Sequence, residues 1–372
     1  MKNLGIYIHI PFCRSRCVYC NFYSSVPGSD EILFAYCAAL LSRLKKYSQR
    51  FSGHIVDSVY FGGGTPTVLG AERLSQILEE TRKNFRVSKE AELSLEANPN
   101  SVDLKSLDLL KRAGFNRISF GAQSAVRKEL AALGRTHGAE EAARAVGAAR
   151  KAGFENISAD MMLGIPFQTG ESLADSLRFF AGLGVEHISA YMLKLEKGTR
   201  LYEKRRSFPF ADDDGQADFY LQTVAYLEKA GYKQYEISNF TRPGFESRHN
   251  LKYWNCDEYL GLGASAHSFF GGGRFFYPDS LDGFIKSPAI EFGGNGGSLE
   301  EYVMLRLRLA SGLDFEKAGA FGLTQVQKST IIKIAGELEK YGLCRRDGKG
   351  VALTVNGFLL SNYCTGKILE AL

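Results

Sequence analysis

Apolar stretches alternate with polar or glycine-rich stretches in a regular rhythm along the first half of the chain. Six β-rich stretches are predicted as strands, at residues 5–10, 56–61, 92–97, 117–120, 156–162 and 187–192. Helical spacing of apolar residues marks the segments between them, at 31–51, 72–85, 104–113, 140–152 and 172–183. Strands that alternate with helices are typical of βα units in a parallel sheet. The pattern therefore predicts an α/β fold in which six βα units curl into a partial (βα)6 barrel.

The second half of the chain follows a different pattern. A helix is predicted at 212–230, a segment at 235–240 follows it, and a glycine-rich stretch occupies 261–273. Residues 288–297 have the composition of a linker. Beyond them the pattern predicts helices at 299–310, 315–321 and 324–341, a hairpin at 343–353 and a last helix at 355–371. We therefore predict a barrel domain with its extension at 1–287, a linker at 288–297 and a small winged-helix-like α+β domain at 298–372.

Polar or cysteine residues follow the predicted strands at the edge where their carboxyl ends meet. Three cysteines follow the first strand and glycines at 62–64 follow the second. Glu96, Gln123 and Asp160 lie at the ends of the next three strands. Because the chemistry of parallel βα arrays gathers at the carboxyl ends of the strands, these positions predict one site.

Cys13, Cys17 and Cys20 have the spacing C-x3-C-x2-C within one short loop. Iron–sulfur clusters are normally held by four thiolates, so three thiolates leave one iron with an open position. Asn21, which follows directly, cannot supply a fourth thiolate. Zinc and inert thiols are the alternatives, but a structural zinc site needs a second ligand pair, and the sequence has neither a second C-x2-C nor an H-x3-H. The spacing favours a [4Fe-4S] cluster.

Composition restricts the classes of protein and their location. The formal charge of +5 over 372 residues gives little support for a nucleic-acid partner. No apolar run approaches the roughly 20 residues of a membrane span, and the amino terminus lacks the features of a secretory signal. Seven cysteines, an odd number, indicate a reduced cytoplasmic protein without a disulfide framework. Four of them are scattered, and their roles stay open: Cys37, Cys256, Cys344 and Cys364.

The glycines at 62–64 and the strand-end acids each allow two interpretations. Glycines let the backbone approach a ligand closely, but they also form tight βα turns. Glu96 and Asp160 suit an amino group or hydroxyl groups, although a single acid at such a position is more often a cap or a surface charge. The run at 261–266 resembles a dinucleotide fingerprint, but it lies outside a clear βαβ unit and lacks the acidic residue at the required distance.

A three-cysteine motif in a βα barrel resembles the radical S-adenosylmethionine (SAM) superfamily. The order of further motifs is similar to the oxygen-independent coproporphyrinogen III oxidase family, namely 8–13, 62–67, 96–99, 119–124, 133–137 and 160–166. The segments 235–240, 249–254 and 266–268 resemble its heme-chaperone branch. The oxidase motif continues Cys-x-Cys, whereas here Asn21 follows Cys20 without a further cysteine. Only 12 residues precede Cys13, whereas the oxidase has a long amino-terminal extension. The resemblance covers nearly the whole chain and favours the chaperone branch.

The resemblance implies the site residues. Those implied to contact SAM are Tyr7, Tyr19, Gly63, Gly64, Thr65, Glu96, Gln123, Arg135 and Asp160. Arg135 is the expected partner of the SAM carboxylate, because a guanidinium fork fits two oxygens. His249, Tyr253 and Trp254 are implied to contact heme, with His249 as an axial ligand of iron and the two aromatic rings against the macrocycle. His267 and Cys256 are weaker candidates for the same role.

Two functions remain open at this point. The resemblance implies a heme chaperone that delivers heme to apo-hemoproteins of the respiratory chain, with the cluster and SAM in the barrel. The alternative is the oxidative decarboxylation of coproporphyrinogen III to protoporphyrinogen IX. We further expect a cytoplasmic protein that associates peripherally with the membrane surface. We also expect a homodimer and no nucleic-acid partner. Whether SAM is cleaved or only bound, and whether heme is attached covalently, the sequence leaves undecided.

Overall fold

The computed structural model describes residues 2–372, which form fifteen strands and fifteen α-helices. The strands are β1 Lys2–Ile10, β2 His54–Gly63, β3 Val87–Ala97, β4 Arg117–Gln123, β5 Asn156–Leu163, β6 His187–Met192, β7 Lys233–Glu236, β8 Asn239–Thr241, β9 Tyr259–Leu262, β10 His267–Phe270, β11 Gly273–Phe276, β12 Glu291–Asn295, β13 Leu313–Asp314, β14 Cys344–Arg346 and β15 Gly350–Leu353. The helices are α1 Asp30–Ser48, α2 Ala71–Asn84, α3 Leu104–Ala113, α4 Arg127–Ala132, α5 Ala139–Lys151, α6 Gly170–Gly182, α7 Arg200–Glu203, α8 Asp213–Lys229, α9 Arg248–Trp254, α10 Leu281–Lys286, α11 Leu299–Arg306, α12 Phe315–Gly319, α13 Gln325–Lys340, α14 Val355–Leu359 and α15 Ser361–Leu369.

The alternation of strands and helices in the first half is confirmed. All six predicted strands and all five predicted helices are present, and α3 has the predicted bounds. Local signals explain this agreement. Asp103 caps α3 by accepting a hydrogen bond from the Ser106 backbone, and Gly114 ends it in the left-handed conformation that glycine favours.

The main sheet has twelve strands in the order β12-β11-β10-β9-β1-β2-β3-β4-β5-β6-β8-β7. Strands β1 to β6 pair in parallel with their sequence neighbours. β1 and β6 do not pair with each other, because β9 continues the sheet beyond β1 and β8 continues it beyond β6. The predicted partial (βα)6 barrel is therefore confirmed, and its curved sheet is extended on both sides by later segments.

The two faces of β1 show how the sheet is buried. Leu4, Ile6, Ile8 and Ile10 are fully buried in the hydrophobic core. The alternate residues include Tyr7 and His9, which make side-chain hydrogen bonds to each other. Because successive side chains in a strand point to opposite faces, one face carries the apolar core and the other carries polar and aromatic groups.

Two predictions for the second half need correction. Residues 288–297, predicted as a linker, contain the edge strand β12, which pairs antiparallel with β11. Glycine content misled the prediction, since backbone hydrogen bonds to β11 are enough to hold this segment. The single helix predicted at 355–371 is divided into α14 and α15. The break falls at Leu360, whose backbone leaves helical geometry at φ −104° and ψ 28°.

Residues 298–372 contain α11–α15 and a three-stranded sheet in the order β13-β15-β14. This agrees with the predicted helices and hairpin. One hydrophobic core runs from Leu4 in β1 to Ile368 in α15 without interruption. The division of the chain into domains stays a prediction. Among residues 2–372, no helix is long and apolar enough to cross a membrane.

Candidate functional site

The loop that carries the three cysteines is fixed at its base and at its tip. At the base, the Cys13 amide donates to the Ser25 carbonyl (3.0 Å) and the Ser25 amide donates to the Pro11 carbonyl (2.8 Å). At the tip, Val18 is held by the Leu133 carbonyl (3.3 Å) and by the Leu201 amide (2.8 Å). The loop therefore has a defined position on the barrel although it contains no regular secondary structure.

Cys13, Cys17 and Cys20 all line one cavity of about 750 Å³ at the carboxyl ends of the barrel strands. Burial raises the pKa of the Cys13 and Cys20 thiols, while hydrogen bonds from Thr65 and Ser24 oppose the shift at Cys13. No group of three His, Cys, Asp or Glu side chains among residues 2–372 is arranged to hold a single metal ion. Soft thiolates that share one cavity wall, with open space beside them, fit a multi-iron cluster with one unligated iron.

The glycine loop after β2 is attached to the cysteine loop by backbone hydrogen bonds. The Gly64 amide donates to the Ile10 carbonyl (2.9 Å) and the Thr65 amide donates to the Phe12 carbonyl (2.7 Å). The Thr65 hydroxyl lies 3.6 Å from the Cys13 sulfur. Gly63 has φ +107°, and an added Cβ would lie 2.5 Å from the His9 ring. The glycines thus allow the close approach of two loops, and Gly63, Gly64 and Thr65 line the cavity.

Two half-buried carboxyl groups face the same cavity. Glu96 accepts a hydrogen bond from the Tyr60 hydroxyl (2.8 Å), and burial raises its pKa to about 7. Asp160 accepts a hydrogen bond from the Ser119 hydroxyl (3.0 Å), and burial raises its pKa as well. A buried carboxyl group is costly to ionise unless a positive charge or hydrogen-bond donors reach it. Both groups are therefore suited to a ligand that brings an ammonium group or hydroxyl groups.

The cavity is also lined by Gln123, Arg135 and Tyr19. The guanidinium of Arg135, however, already makes hydrogen bonds within the protein. It donates to the Gly121 carbonyl and to the Cys17 sulfur (3.4 Å). Only its Nε lacks a partner. The predicted bidentate contact with a SAM carboxylate is thus not preformed, because one terminal nitrogen is bound to β4 and the other to the cysteine loop.

Tyr7 lies outside the cavity wall. Its ring stacks on Tyr60 with 6.3 Å between the centroids, and its hydroxyl lies 3.1 Å from the His9 Nδ1 atom. Tyr60 itself lines the cavity. Tyr7 therefore supports the wall from behind.

The three residues implied for heme have different surroundings. His249 is fully buried, with its Nδ1 2.8 Å from the Ser58 hydroxyl and its Nε2 2.9 Å from the Tyr253 hydroxyl. Burial lowers its pKa to about 3, so the ring is neutral. Both nitrogens are occupied, and neither His249 nor Tyr253 lines the cavity. Trp254 does line the cavity, and the Arg308 guanidinium lies 4.3 Å from its ring centroid.

The weaker candidates and the scattered cysteines lie outside the cavity. His267 is exposed and stacks on Phe276, and Cys256 ends the turn after α9 with φ +59°. Cys37, Cys344 and Cys364 are buried among apolar side chains, where burial raises the pKa of each thiol. Buried cysteines of this kind act as small apolar residues.

Sequence reasoning missed several cavity residues, including Tyr60 and Tyr191. The Tyr191 hydroxyl donates to Gln123 Oε1 (2.9 Å) and so fixes the amide. A signal was available in the sequence, because polar residues alternate along the parallel strands instead of forming continuous apolar runs. They are Ser58 and Tyr60, Ser94 and Glu96, Ser158 and Asp160, and Ser189 and Tyr191. In a parallel sheet that is covered on one face by helices, such alternation marks the face that carries a site.

Comparison with known proteins agrees with this geometry. The radical SAM superfamily profile matches residues 7–180. The heme chaperone HemW of Mycobacterium tuberculosis is 34% identical over 99% of this chain and 95% of its own length. The heme chaperone HemW of Bacillus subtilis is 33% identical over 98% and 99% of the two chains.

A solved structure of the coproporphyrinogen III oxidase HemN of Escherichia coli, described as a radical SAM enzyme, superposes with a TM-score of 0.85. It is 25% identical and covers all of this chain and 91% of its own. The cysteine loop, the glycine loop and the strand-end acids thus stand in a fold shared with a radical SAM enzyme. Since the more similar relatives align along almost their full length, the chain belongs to the HemW family of the radical SAM superfamily.

Proposed function

We propose that this protein is a heme chaperone of the radical SAM type, which binds heme and delivers it to apo-hemoproteins of the respiratory chain. The observation that carries the proposal is the alignment with proteins named heme chaperone HemW over 98–99% of this chain. The alignment includes α9, with Trp254 at the cavity, and the helices and small sheet of residues 298–372.

We propose a [4Fe-4S] cluster on Cys13, Cys17 and Cys20 and SAM in the adjoining cavity. A cluster of this type, when bound, supplies the electron that cleaves the sulfonium group of SAM in this superfamily. The residues of the chain bind and orient. Glu96 accepts from the ammonium group of the ligand, Asp160 accepts from ribose hydroxyls, and the backbone at 63–64 approaches the methionine end. Whether SAM is cleaved stays open.

For heme, the geometry supports contact through Trp254 first. Its ring faces the cavity, whereas the His249 nitrogens are held by Ser58 and Tyr253. Ligation of iron by His249 therefore requires both hydrogen bonds to open. Anaerobic titration of the reconstituted protein with heme tests this, and we expect a shift of the Soret band that Trp254→Phe weakens.

Two substitutions of histidine distinguish ligation of the heme iron by His249 from ligation by another group. A Soret shift that disappears in His249→Ala, while exposed His267→Ala keeps it, supports ligation by His249 after rearrangement. A shift that His249→Ala leaves unchanged assigns iron binding to another group. Protein that shows no Soret shift under these conditions would contradict the chaperone proposal.

The oxidase function is the second candidate, since the HemN structure covers the whole of this chain. Against it, the oxidase motif continues Cys-x-Cys, whereas Cys20 is followed here by Asn21 and Phe22, so the further cysteine is missing. Anaerobic incubation with coproporphyrinogen III, SAM and a reductant distinguishes the two. We expect no protoporphyrinogen, and its formation would overturn the order of the two functions.

We also propose a cytoplasmic homodimer that meets its acceptors at the membrane surface. Three large apolar side chains are exposed after the cysteine loop and in α1, namely Phe22 (70%), Val26 (59%) and Phe34 (68%). A contiguous patch of exposed apolar side chains is typical of a contact surface, and we propose that these three belong to one. Light scattering after gel filtration tests the dimer, and flotation with lipid vesicles tests the surface association. A monomer that stays away from vesicles would contradict both.

A further inference from the structure

One end of the cavity carries a group of polar side chains of which only Trp254 has a role in the proposals above. Glu236, at the end of β7, and Asn239, at the start of β8, line this end together with Trp254 and Arg308. We call these four residues the polar corner. Glu236 is 1% exposed and Asn239 is 9% exposed, so both are strongly shielded from bulk water.

Two acceptor atoms of the polar corner lack a hydrogen bond. One carboxylate oxygen of Glu236 accepts from the Ser238 amide (2.9 Å) and from the Asn239 side-chain nitrogen, while its Oε2 has no donor. The same contact fixes the Asn239 amide, whose Oδ1 is also without a partner. Buried polar atoms are almost always hydrogen-bonded, because an unpaired one is unfavourable. Two such acceptors beside each other indicate a ligand that donates hydrogen bonds.

Two donor atoms of the polar corner are also free. Trp254 Nε1 and Arg308 Nε are buried atoms without an acceptor. The Arg308 guanidinium lies over the Trp254 ring, and its Nη2 is 3.9 Å from Glu236 Oε2, too far for a hydrogen bond. Arg308 and Glu236 thus face each other without a direct hydrogen bond.

The register of the sheet places the corner beside the SAM pocket. Asp160 of β5 pairs with Ser189 of β6, Ser189 pairs with Asn239 of β8, and Asn239 pairs with Glu236 of β7. Neighbouring strands lie about 4.8 Å apart, so Asn239 is roughly 10 Å from Asp160. A ligand at the corner would therefore lie next to a SAM molecule held at Glu96 and Asp160.

We propose that the polar corner binds the ammonium and carboxylate groups of an α-amino acid. The ammonium group would donate to Glu236 Oε2 and Asn239 Oδ1, and the carboxylate would accept from Arg308 and Trp254 Nε1. A heme propionate offers acceptors only, and it would leave Glu236 and Asn239 unpaired next to a second anion. The inference does not depend on heme binding.

Trp254 is the only tryptophan of the chain, so its fluorescence reports directly on the corner. The protein is reconstituted anaerobically and saturated with SAM, which keeps the SAM pocket from responding. Each proteinogenic L-amino acid is then titrated in turn, together with the matching amine and carboxylic acid. We expect at least one amino acid to change the fluorescence. Its amine and acid analogues should bind at least roughly tenfold more weakly, because each lacks one of the two charged groups.

Glu236→Gln and Arg308→Gln should each weaken that binding roughly tenfold or more, because each removes a charged partner. Glu196→Gln is the control, since Glu196 lines the same cavity but is paired with Lys194 at 2.7 Å. A response to further SAM that depends on Glu236 would assign the corner to the amino-acid group of a second SAM molecule. No response to any amino acid, or one that both corner variants leave unchanged, means that the corner holds water only and overturns the proposal.

Discussion

The protonation state of ionisable side chains in and near the cavity depends on the groups that surround them. Burial raises the pKa of Glu96 to about 7, and the Tyr60 hydroxyl opposes the shift only in part. His249 is the opposite case, because burial holds its ring neutral between two hydroxyl groups. His187 shows the same arrangement with Ser158 and Tyr235, so paired hydroxyls around a buried histidine are a recurring structural device of this barrel.

We expect Glu96 to make the ligand-free protein less stable as the pH rises from about 4.5 to about 7. Within this window the folded protein keeps the proton that the unfolded chain has lost, so stability falls with pH, by about 3 kcal/mol in total. Urea unfolding at about pH 5 and about pH 8 measures the difference. Glu96→Gln should remove most of it, whereas Glu196→Gln should not. An unchanged pH dependence in Glu96→Gln would show that Glu96 is not the group responsible.

SAM should reverse this penalty. An ammonium group beside Glu96 favours the carboxylate, so binding of SAM should release a proton and tighten as the pH rises to about 7. Isothermal titration in buffers of different ionisation enthalpy measures the proton release. Glu96→Gln should bind SAM more weakly and without that release. Proton release that persists in the variant would point to another acid.

His249 should destabilise the fold in acid. Its pKa is about 3 in the folded protein, so between about pH 6.5 and about pH 3 the unfolded chain takes up a proton that the folded protein refuses. Stability therefore falls as the pH falls through this window. His249→Asn should reduce the loss measured by urea unfolding between about pH 7 and about pH 4.5, and exposed His267→Asn should not. Equal losses in all three proteins would contradict the assignment.

At the scale of elements, the site depends on the contact between the cysteine loop and the glycine loop. The cysteine loop contains no strand or helix, and the backbone bonds from 64–65, directly after β2, to Ile10 and Phe12 hold the two loops together. A Cβ on Gly64 would lie 2.7 Å from the Phe12 carbonyl oxygen and 3.0 Å from the Ile10 carbonyl oxygen. The loops could then not approach so closely.

Gly64→Ala should lower the free energy of unfolding by about 1–3 kcal/mol, because backbone atoms must move apart. It should also lower the iron bound per chain after reconstitution. Gly147→Ala is the matched control, since Gly147 lies in α5 with no atom within 4 Å of its Cβ position. That control should gain about 0.5–1 kcal/mol, as expected for glycine in a helix. Equal effects at the two positions would contradict the role of Gly64.

At the scale of the whole molecule, residues 298–372 are joined to the barrel by hydrogen bonds as well as by the covalent chain. The Ile237 amide donates to the Arg308 carbonyl (3.0 Å), and the Ala310 amide donates to the Tyr235 carbonyl (3.0 Å). Buried Arg306 reaches the Gly312 carbonyl, the Ser311 hydroxyl and Asn255 at the end of α9. Together with the continuous core, these contacts connect the small sheet to the wall of the cavity.

We therefore expect the ligand-free chain to unfold in a single calorimetric transition. Arg306→Leu should lower the melting temperature of the whole transition, because it leaves the buried Gly312 carbonyl unpaired, at a cost of about 1–3 kcal/mol, and removes the bond to Asn255. Arg144→Gln, which alters an exposed helix pair, should have little effect. Two transitions, of which only one responds to Arg306→Leu, would show that residues 298–372 unfold independently.

Four features of this protein follow from its sequence alone: the βα alternation, the cysteine motif, the glycine loop and the strand-end acids Glu96 and Asp160. These features are encoded in short stretches, through apolar periodicity, cap residues and turn glycines, and the parallel sheet then brings the strand ends together. The alternation of polar residues along the strands could also have predicted that Tyr60 and Tyr191 line the site.

Features that depend on residues far apart in the chain became visible in the folded protein. The tertiary structure turned the glycine-rich stretch at 288–297 into an edge strand, enclosed His249 between Ser58 and Tyr253, and bound Arg135 to Gly121 and Cys17. It also assembled the polar corner, where Asn239 meets Ser189 from 50 positions earlier. Hydrogen bonds and desolvation depend on the neighbours in space, and no local pattern records which distant groups become neighbours.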